Sequence, residues 1–197
     1  MAFPGIFDQF VEPSAKLARV VNLSTAGFGE WSFDRRVSVS VRTAICSAAD
    51  AVTVHASLGT PGEAEMLREL VRAVGEAHDY GIPVIAAIYH RGASNLADGS
   101  QSLAQRTAHA ARIALELGAD VVKASYTGDS SSFATVVRAC SPLPVLVAGG
   151  PYTSDSDVVA IARGSFEAGA AGYCFGRGLT HAVDLATVLR GIESVHA

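Results

Sequence analysis

Lys123 is the residue of this sequence best suited to chemistry that its neighbours cannot do. The chain has thirteen Arg and two Lys, Lys16 and Lys123. Lys123 lies in an apolar run, Val121-Val122-Lys123-Ala124-Ser125. Arginine stays protonated, whereas a buried lysine can lose its proton, so a lysine kept here suits a role that needs a neutral amine. If the run is a strand, Lys123 shares a face with Val121 and Ser125. Desolvation on that face favours the neutral form, which attacks carbonyls. The alternative is a lysine whose stem lies along the apolar surface and whose ammonium reaches the rim beside Asp120 or Asp129.

A second group lies upstream, in Ala87-Ile88-Tyr89-His90-Arg91-Gly92. Tyr89 alternates with Ala87 and Ile85, and Arg91 lies two residues on. Both can face the same space as Lys123 from a neighbouring strand about 4.8 Å away. A phenol beside an amine can shuttle a proton, and a guanidinium can lower the ammonium's pKa or hold a phosphate. Taken alone, Tyr89 also reads as a core aromatic with a satisfied hydroxyl. His90 alternates to the opposite face and reads as structural. His55, ending an earlier strand, can reach the same mouth but is a lone histidine.

The third group is a pair of glycine turns, Ala148-Gly149-Gly150-Pro151 and Phe175-Gly176-Arg177-Gly178. Each precedes a helical pattern. Glycine lets backbone N–H groups close around an anion at a helix start, and paired turns after the last two strands are where barrels commonly seat a phosphate. Arg177 adds positive charge. Simple strand-to-helix turns are the alternative.

These residues sit at the ends of short Val/Ile/Ala-rich runs: 19–24, 51–56, 83–89, 120–125, 144–149 and 172–176. Such near-continuous apolar runs mark strands buried on both faces of a parallel sheet. Helical patterns fall between them. In 63–78 Met66, Leu67, Leu70, Val71 and Val74 form one stripe, and 103–117 and 155–168 repeat the pattern with smaller residues. Gly81, Gly118 and Gly169 each end a helix just before a strand, as left-handed C-caps do. The pattern is a βα repeat forming one domain over residues 1–197. It permits a (β/α) barrel or an open doubly wound sheet, both with active sites at the C-terminal ends of the strands. At ~30 residues per unit, 197 residues hold about six units, whereas a closed eight-unit barrel usually needs ~250.

Composition narrows the function classes. With 49% hydrophobic and 17% charged residues and a net charge of −4, the chain is neither disordered nor a nucleic-acid binder, which needs a basic stripe. Cys46, Cys140 and Cys174 are far apart in apolar surroundings and read as small buried hydrophobes rather than a disulfide or zinc framework. No apolar run reaches the ~18 residues of a membrane span, and no signal sequence opens the chain, so a cytoplasmic location is expected. Gly27-Phe-Gly29-Glu-Trp-Ser32 lacks the third glycine of a dinucleotide-binding turn.

Together, Val121-Val-Lys-Ala-Ser-Tyr-Thr-Gly-Asp129, Tyr89-His-Arg-Gly92, Val147-Ala-Gly-Gly-Pro151 and Gly176-Arg177 resemble the motifs of class I aldolases of the archaeal-type fructose-bisphosphate aldolase group. That group has the TIM (β/α)8 fold and includes deoxyribose-phosphate-aldolase-like proteins and 2-amino-3,7-dideoxy-D-threo-hept-6-ulosonate synthase. The Lys-x-Ser-Tyr-Thr-Gly-Asp form and Val54-His55 lean toward the synthase. The resemblance puts the Schiff-base lysine at Lys123 and the proton-transferring tyrosine at Tyr89. Arg91, the arginine beside that tyrosine, and Gly149, Gly150, Gly176 and Arg177 of the phosphate site then bind the substrate and its phosphate. It implies a phosphorylated sugar substrate, no metal and no cofactor.

Two departures accompany the resemblance. The family's first strand ends in Asp-His-Gly, which this sequence does not contain, and His90 stands where Tyr-Pro-Arg-Gly has proline. Residues 1–10 resemble the segment just after the family's second strand. The expectation is therefore a barrel N-terminally shortened to about six βα units, impaired in activity and exposing edge strands that favour a homo-oligomer. A non-catalytic barrel fragment with a sugar-phosphate site remains the alternative.

Overall fold

The structure, a computed structural model, describes residues 1–10, 16–25, 33–91 and 101–196. The glycine segment from Gly27 to Ser32 and the stretch from Gly92 to Ser100 lie outside the described residues. Contacts group the chain into two compact units, Met1–Gly99 with Ile113–Val121, and Ser100–Arg112 with Val122–Ala197.

In the first unit, β1 (Val20–Asn22), β4 (Ala51–Leu58) and β5 (Val84–His90) run parallel, with Val21 opposite Val52 and Ser57 opposite Tyr89. Residues 19–24 read as one strand from sequence, but the structure divides them. The Asn22 side chain accepts from Ser24 N at 3.2 Å, and the chain turns there. Strand β2 (Ser24–Thr25) then pairs antiparallel with β3 (Arg36–Val37). Ala2 also joins β1 in a parallel bridge, donating to Val20 O at 3.0 Å and accepting from Asn22 N at 2.8 Å.

Strand β4 alternates chemically although it is buried from Val52 to Leu58. Val52, Val54, Ala56 and Leu58 line one face, and Thr53, His55 and Ser57 the other. Helices α1 (Pro4–Gln9) and α2 (Val41–Cys46) are short, and α3 (Glu63–Asp79) packs against β4. The buried stripe of α3 is Met66, Leu70, Ala73, Val74 and Ala77. Leu67 is only half-buried and Val71 is 46% exposed, against the sequence expectation. The small Ala73 and Ala77 continue the three-and-four spacing from Met66 and Leu70, leaving Leu67 and Val71 on the flank.

Helix α4 (Leu103–Glu116) and strand β6 (Val121–Ser125) carry residues of both units. The remaining elements of the second unit are α5 (Ser130–Ala139), β7 (Val145–Ala148), α6 (Asp155–Glu167), β8 (Gly172–Cys174), α7 (Arg177–Thr180), α8 (Leu185–Glu193) and a closing turn, Ser194–His196. Strands β6, β7 and β8 are parallel in that order. Phe133 and Val136 of α5 are fully buried, each contributing ~1.5–3 kcal/mol by burial.

Punctuation follows the sequence closely. Gly81, Gly118 and Gly169 have φ of 69°, 86° and 90°, the left-handed caps that spacing predicted. Ser102 and Gln105 form a reciprocal capping box at the start of α4, with bonds of 3.2 and 2.8 Å. Asp129, Ser154 and Asp184 cap α5, α6 and α8, each cap contributing ~1 kcal/mol. The cysteines are free; Cys140 is buried and Cys174 half-buried, but Cys46 is exposed, contrary to expectation. Two positions beyond the buried Ala44, a side chain points about 200° round the helix, away from the core. Among the described residues no helix is long and apolar enough to cross a membrane.

Candidate active site

In the first unit, the C-terminal ends of β4 and β5 gather polar and aromatic groups. The register sets His55 opposite Ala87 and Ser57 opposite Tyr89, so His55, Ser57 and Tyr89 share a face. The His55 and Tyr89 ring centroids are 6.3 Å apart. His55 is buried, and its backbone N–H donates to Ser24 Oγ at 3.1 Å. The Arg91 amide donates to Leu58 O at 2.9 Å, extending the β5 ladder by one residue. The Arg91 guanidinium carbon lies 4.8 Å from the Tyr89 ring centroid and 5.2 Å from that of Phe33. His90 pairs with Leu58 and alternates to the opposite face from Tyr89.

In the second unit, Lys123 pairs with Leu146, which pairs with Gly172. The next register row ends on Tyr173, whose ring meets those of Phe175 and His196 at 5.4 and 5.5 Å. His196 in turn packs edge-on against Phe166 of α6. Lys123, Ser125, Leu146 and Ala148 therefore point away from this helix-side aromatic cluster. Val122 and Ala124, of opposite parity, are fully buried, whereas Lys123 is half-buried.

The rest of the Lys-x-Ser-Tyr-Thr-Gly-Asp element builds the turn behind that lysine. Gly128 has φ of 110°, and Asp129 accepts from Ser132 N at 2.9 Å. Thr127 and Ser132 share a hydroxyl bond of 2.8 Å. The Ser132 bonds hold the Asp129 carboxyl below its ordinary pKa. Burial raises the Tyr126 phenol, helped by the negative charges of Asp129 and Glu167. Asp120, the other carboxylate weighed as a lysine neighbour, accepts from Val84 N at 2.8 Å and lies 2.9 Å from His78 Nε2.

The two glycine turns meet. A side chain on Gly149 would come within 2.6 Å of the Phe175 ring, so its absence lets the end of β7 lie against the residue before Gly176. Gly150 has φ of 67°, and both Gly150 and Gly176 open onto empty space. Gly176 O accepts from Leu179 N and Thr180 N, starting α7 with the exposed Arg177 at its first position.

The structure thus brings Tyr89 and Arg91 together in the first unit, and Gly149 and Gly176 together in the second. Sequence reasoning missed Phe33, which belongs to no periodic element. It also missed Thr53 and Ser57, although the alternation Val-Thr-Val-His-Ala-Ser-Leu along β4 signals a polar face. Among the described residues, no group of three or more His, Cys, Asp or Glu is placed to hold a metal ion.

Repeated parallel βα units with polar side chains gathered where the strands end are the pattern of the (β/α)-barrel class. Within that class, the chain belongs to the DeoC/LacD aldolase family, whose model matches residues 11–181. It is 36% identical over 162 residues to the 2-amino-3,7-dideoxy-D-threo-hept-6-ulosonate synthase 1 of Archaeoglobus fulgidus, covering 81% of this chain and 58% of the relative. It is 35% identical over 163 residues to the class 1 fructose-bisphosphate aldolase of Thermoproteus tenax, covering 79% and 61%. The chain therefore spans about three-fifths of the length of these curated relatives. A solved archaeal fructose-1,6-bisphosphate aldolase, with its catalytic lysine covalently bound to a carbinolamine intermediate, matches 98% of this chain and 76% of its own. The TM-score is 0.83 and the identity 28%. The fold is accordingly that of the archaeal aldolases over the three-quarters of the solved chain that it matches.

Proposed function

We propose that the chain is a class I aldolase that makes or cleaves a C–C bond of a phosphorylated ketose, such as fructose 1,6-bisphosphate, through a Schiff base on Lys123. The observation that carries this reading is the placement of Lys123, half-buried on a parallel strand and turned away from the helix-side packing. The family to which the chain belongs supports it. Neutral Lys123 Nζ attacks the ketone carbon, and the carbinolamine loses water to give an iminium. The iminium accepts the electron pair of the breaking C–C bond as an enamine, and the departing fragment's hydroxyl gives its proton to water as it becomes an aldehyde. Tyr89 delivers a proton to the enamine carbon, and water releases the ketone fragment and restores the amine. Arg91, Arg177 and the turns at Gly149, Gly150 and Gly176 hold phosphate. No metal or cofactor is needed for these steps. Slow turnover, a homo-oligomeric assembly and a cytoplasmic setting are part of the proposal.

Cleavage of fructose 1,6-bisphosphate, read as dihydroxyacetone phosphate formed, tests the reading. Lys123→Met should abolish cleavage, and Tyr89→Phe should slow it by ~10²–10⁴, the usual worth of a positioned proton donor. Cleavage that survives Lys123→Met would overturn the reading. The similar identity to a relative named as a synthase favours a second reading, an aldolase-like transferase. Faster capture of the three-carbon enamine by an aldehyde other than glyceraldehyde 3-phosphate would select it.

A further inference from the structure

We propose that Phe33 is a positioning residue that holds Arg91 for a substrate phosphoryl group. The inference rests on the aldolase reading for the identity of the phosphate and on geometry for the rest. The Arg91 guanidinium carbon lies over two rings, Tyr89 at 4.8 Å and Phe33 at 5.2 Å. Tyr89 is a strand residue fixed opposite Ser57. Phe33 lies in no strand or helix, so something else must hold its ring in place.

That support is visible one step further out. Phe33 lies three residues before β3 of the β2–β3 ribbon, and Arg35 N donates to Phe33 O at 3.1 Å. The ribbon is clamped to α3 by Glu69, a carboxylate only 11% exposed. Its Oε1 accepts from Arg36 Nε and Nη2 at 3.1 and 2.8 Å, and its Oε2 accepts from Val37 N at 2.8 Å. Gly62 completes the seat, since a side chain there would come within 2.6 Å of Asp34 Oδ1. Support therefore runs from Glu69 to Arg36 and Val37, along the backbone and the Arg35 N–Phe33 O bond to Phe33, and from its ring to Arg91, whose guanidinium also lies over Tyr89.

The physical gain is pre-organisation. An arginine on a strand end loses side-chain freedom when it grips an anion, and stacking its planar face on aromatic rings removes part of that freedom beforehand. The N–H edge of a stacked guanidinium still meets phosphate oxygens in the guanidinium plane, so stacking and anion binding do not compete. The sequence predicts an arginine for phosphate at this position but gives no reason for its precision; Phe33 supplies one.

The test is binding of dihydroxyacetone phosphate by calorimetry to the unaltered chain, Phe33→Leu, Phe33→Tyr, Arg91→Met and the Phe33→Leu/Arg91→Met double variant. Phe33 is 44% exposed, so Leu should be tolerated, and coincident thermal melts check this. Phe33→Leu should weaken binding by roughly two- to five-fold, the worth of one exposed cation–π contact. Phe33→Tyr should bind as the unaltered chain does, and Phe33→Leu should have no further effect once Arg91 is Met. Unchanged binding in Phe33→Leu, or an equal loss in the Arg91→Met background, overturns the assignment, and so does an unaltered chain that binds no sugar phosphate. The aldolase reading fails separately: binding with the pattern above but no covalent adduct on Lys123 overturns that reading and leaves Phe33 as the residue that positions Arg91.

Discussion

Gly164, in the middle of α6, offers the sharpest check on how the strand end carrying Lys123 is held. A Cβ at this position would fall 2.0 Å from the Tyr126 hydroxyl oxygen and 3.0 Å from its Cζ, against an ordinary contact of about 3.5 Å. Tyr126 cannot simply withdraw, because its ring packs at 5.4 Å on Phe133, which is fully buried. Over-packing of this kind costs ~1–3 kcal/mol. Replacing glycine by alanine inside a helix returns ~1 kcal/mol. Gly164→Ala should therefore destabilise the fold by up to ~2 kcal/mol, a fall in Tm of up to about 8 °C for a chain of this size. Adding Tyr126→Phe removes the clashing oxygen and should recover most of the loss. Thermal and urea unfolding by circular dichroism would read both. A Gly164→Ala variant that melts higher than the unaltered chain, as at an uncrowded helical glycine, would refute the packing argument. So would a double variant no more stable than the single one.

Two further outcomes concern buried and charged groups. The Tyr173 hydroxyl is buried without a hydrogen-bond partner among the described residues, so Tyr173→Phe should leave stability unchanged or raise it by up to ~1 kcal/mol; a clear loss in a melt would reveal a bond to that oxygen. Asp129, Asp155 and Asp184 all have carboxyl pKa values lowered by bonds to backbone amides and hydroxyls, chiefly Ser132 N, Asp184 N and the Thr187 hydroxyl respectively. Their folded pKa values lie below the unfolded ones, so their stabilisation is complete above about pH 4 and is lost as pH falls through the lowered values. Tm should therefore drop in that acid range, and less steeply in Asp155→Asn; an equally steep drop would assign the acid sensitivity elsewhere.

The βα repeat was legible because its signals are local. Apolar runs and left-handed glycines each depend on a few adjacent residues, and the long helices fall within a residue or so of their expected ends. The β2–β3 ribbon was not legible, since its pairing depends on Asn22 turning the chain and on Glu69, more than thirty residues away, clamping Arg36 and Val37. For the same reason Arg91 could be named from sequence but Phe33 could not. The element around Lys123 stood out as a motif, yet much of it proves to be scaffold: Tyr126, Thr127, Gly128 and Asp129 make the turn and cap of α5. Sequence spacing alone does not separate such support from chemistry, whereas hydrogen bonds and packing do.

The central claim is that Lys123 forms a Schiff base with a phosphorylated ketose. Borohydride reduction of the chain in the presence of dihydroxyacetone phosphate or fructose 1,6-bisphosphate, followed by peptide mass spectrometry, tests it directly. The prediction is a stable reduced adduct on Lys123 and not on Lys16, lost in Lys123→Ala. No adduct with either sugar phosphate, or one confined to Lys16, would contradict it.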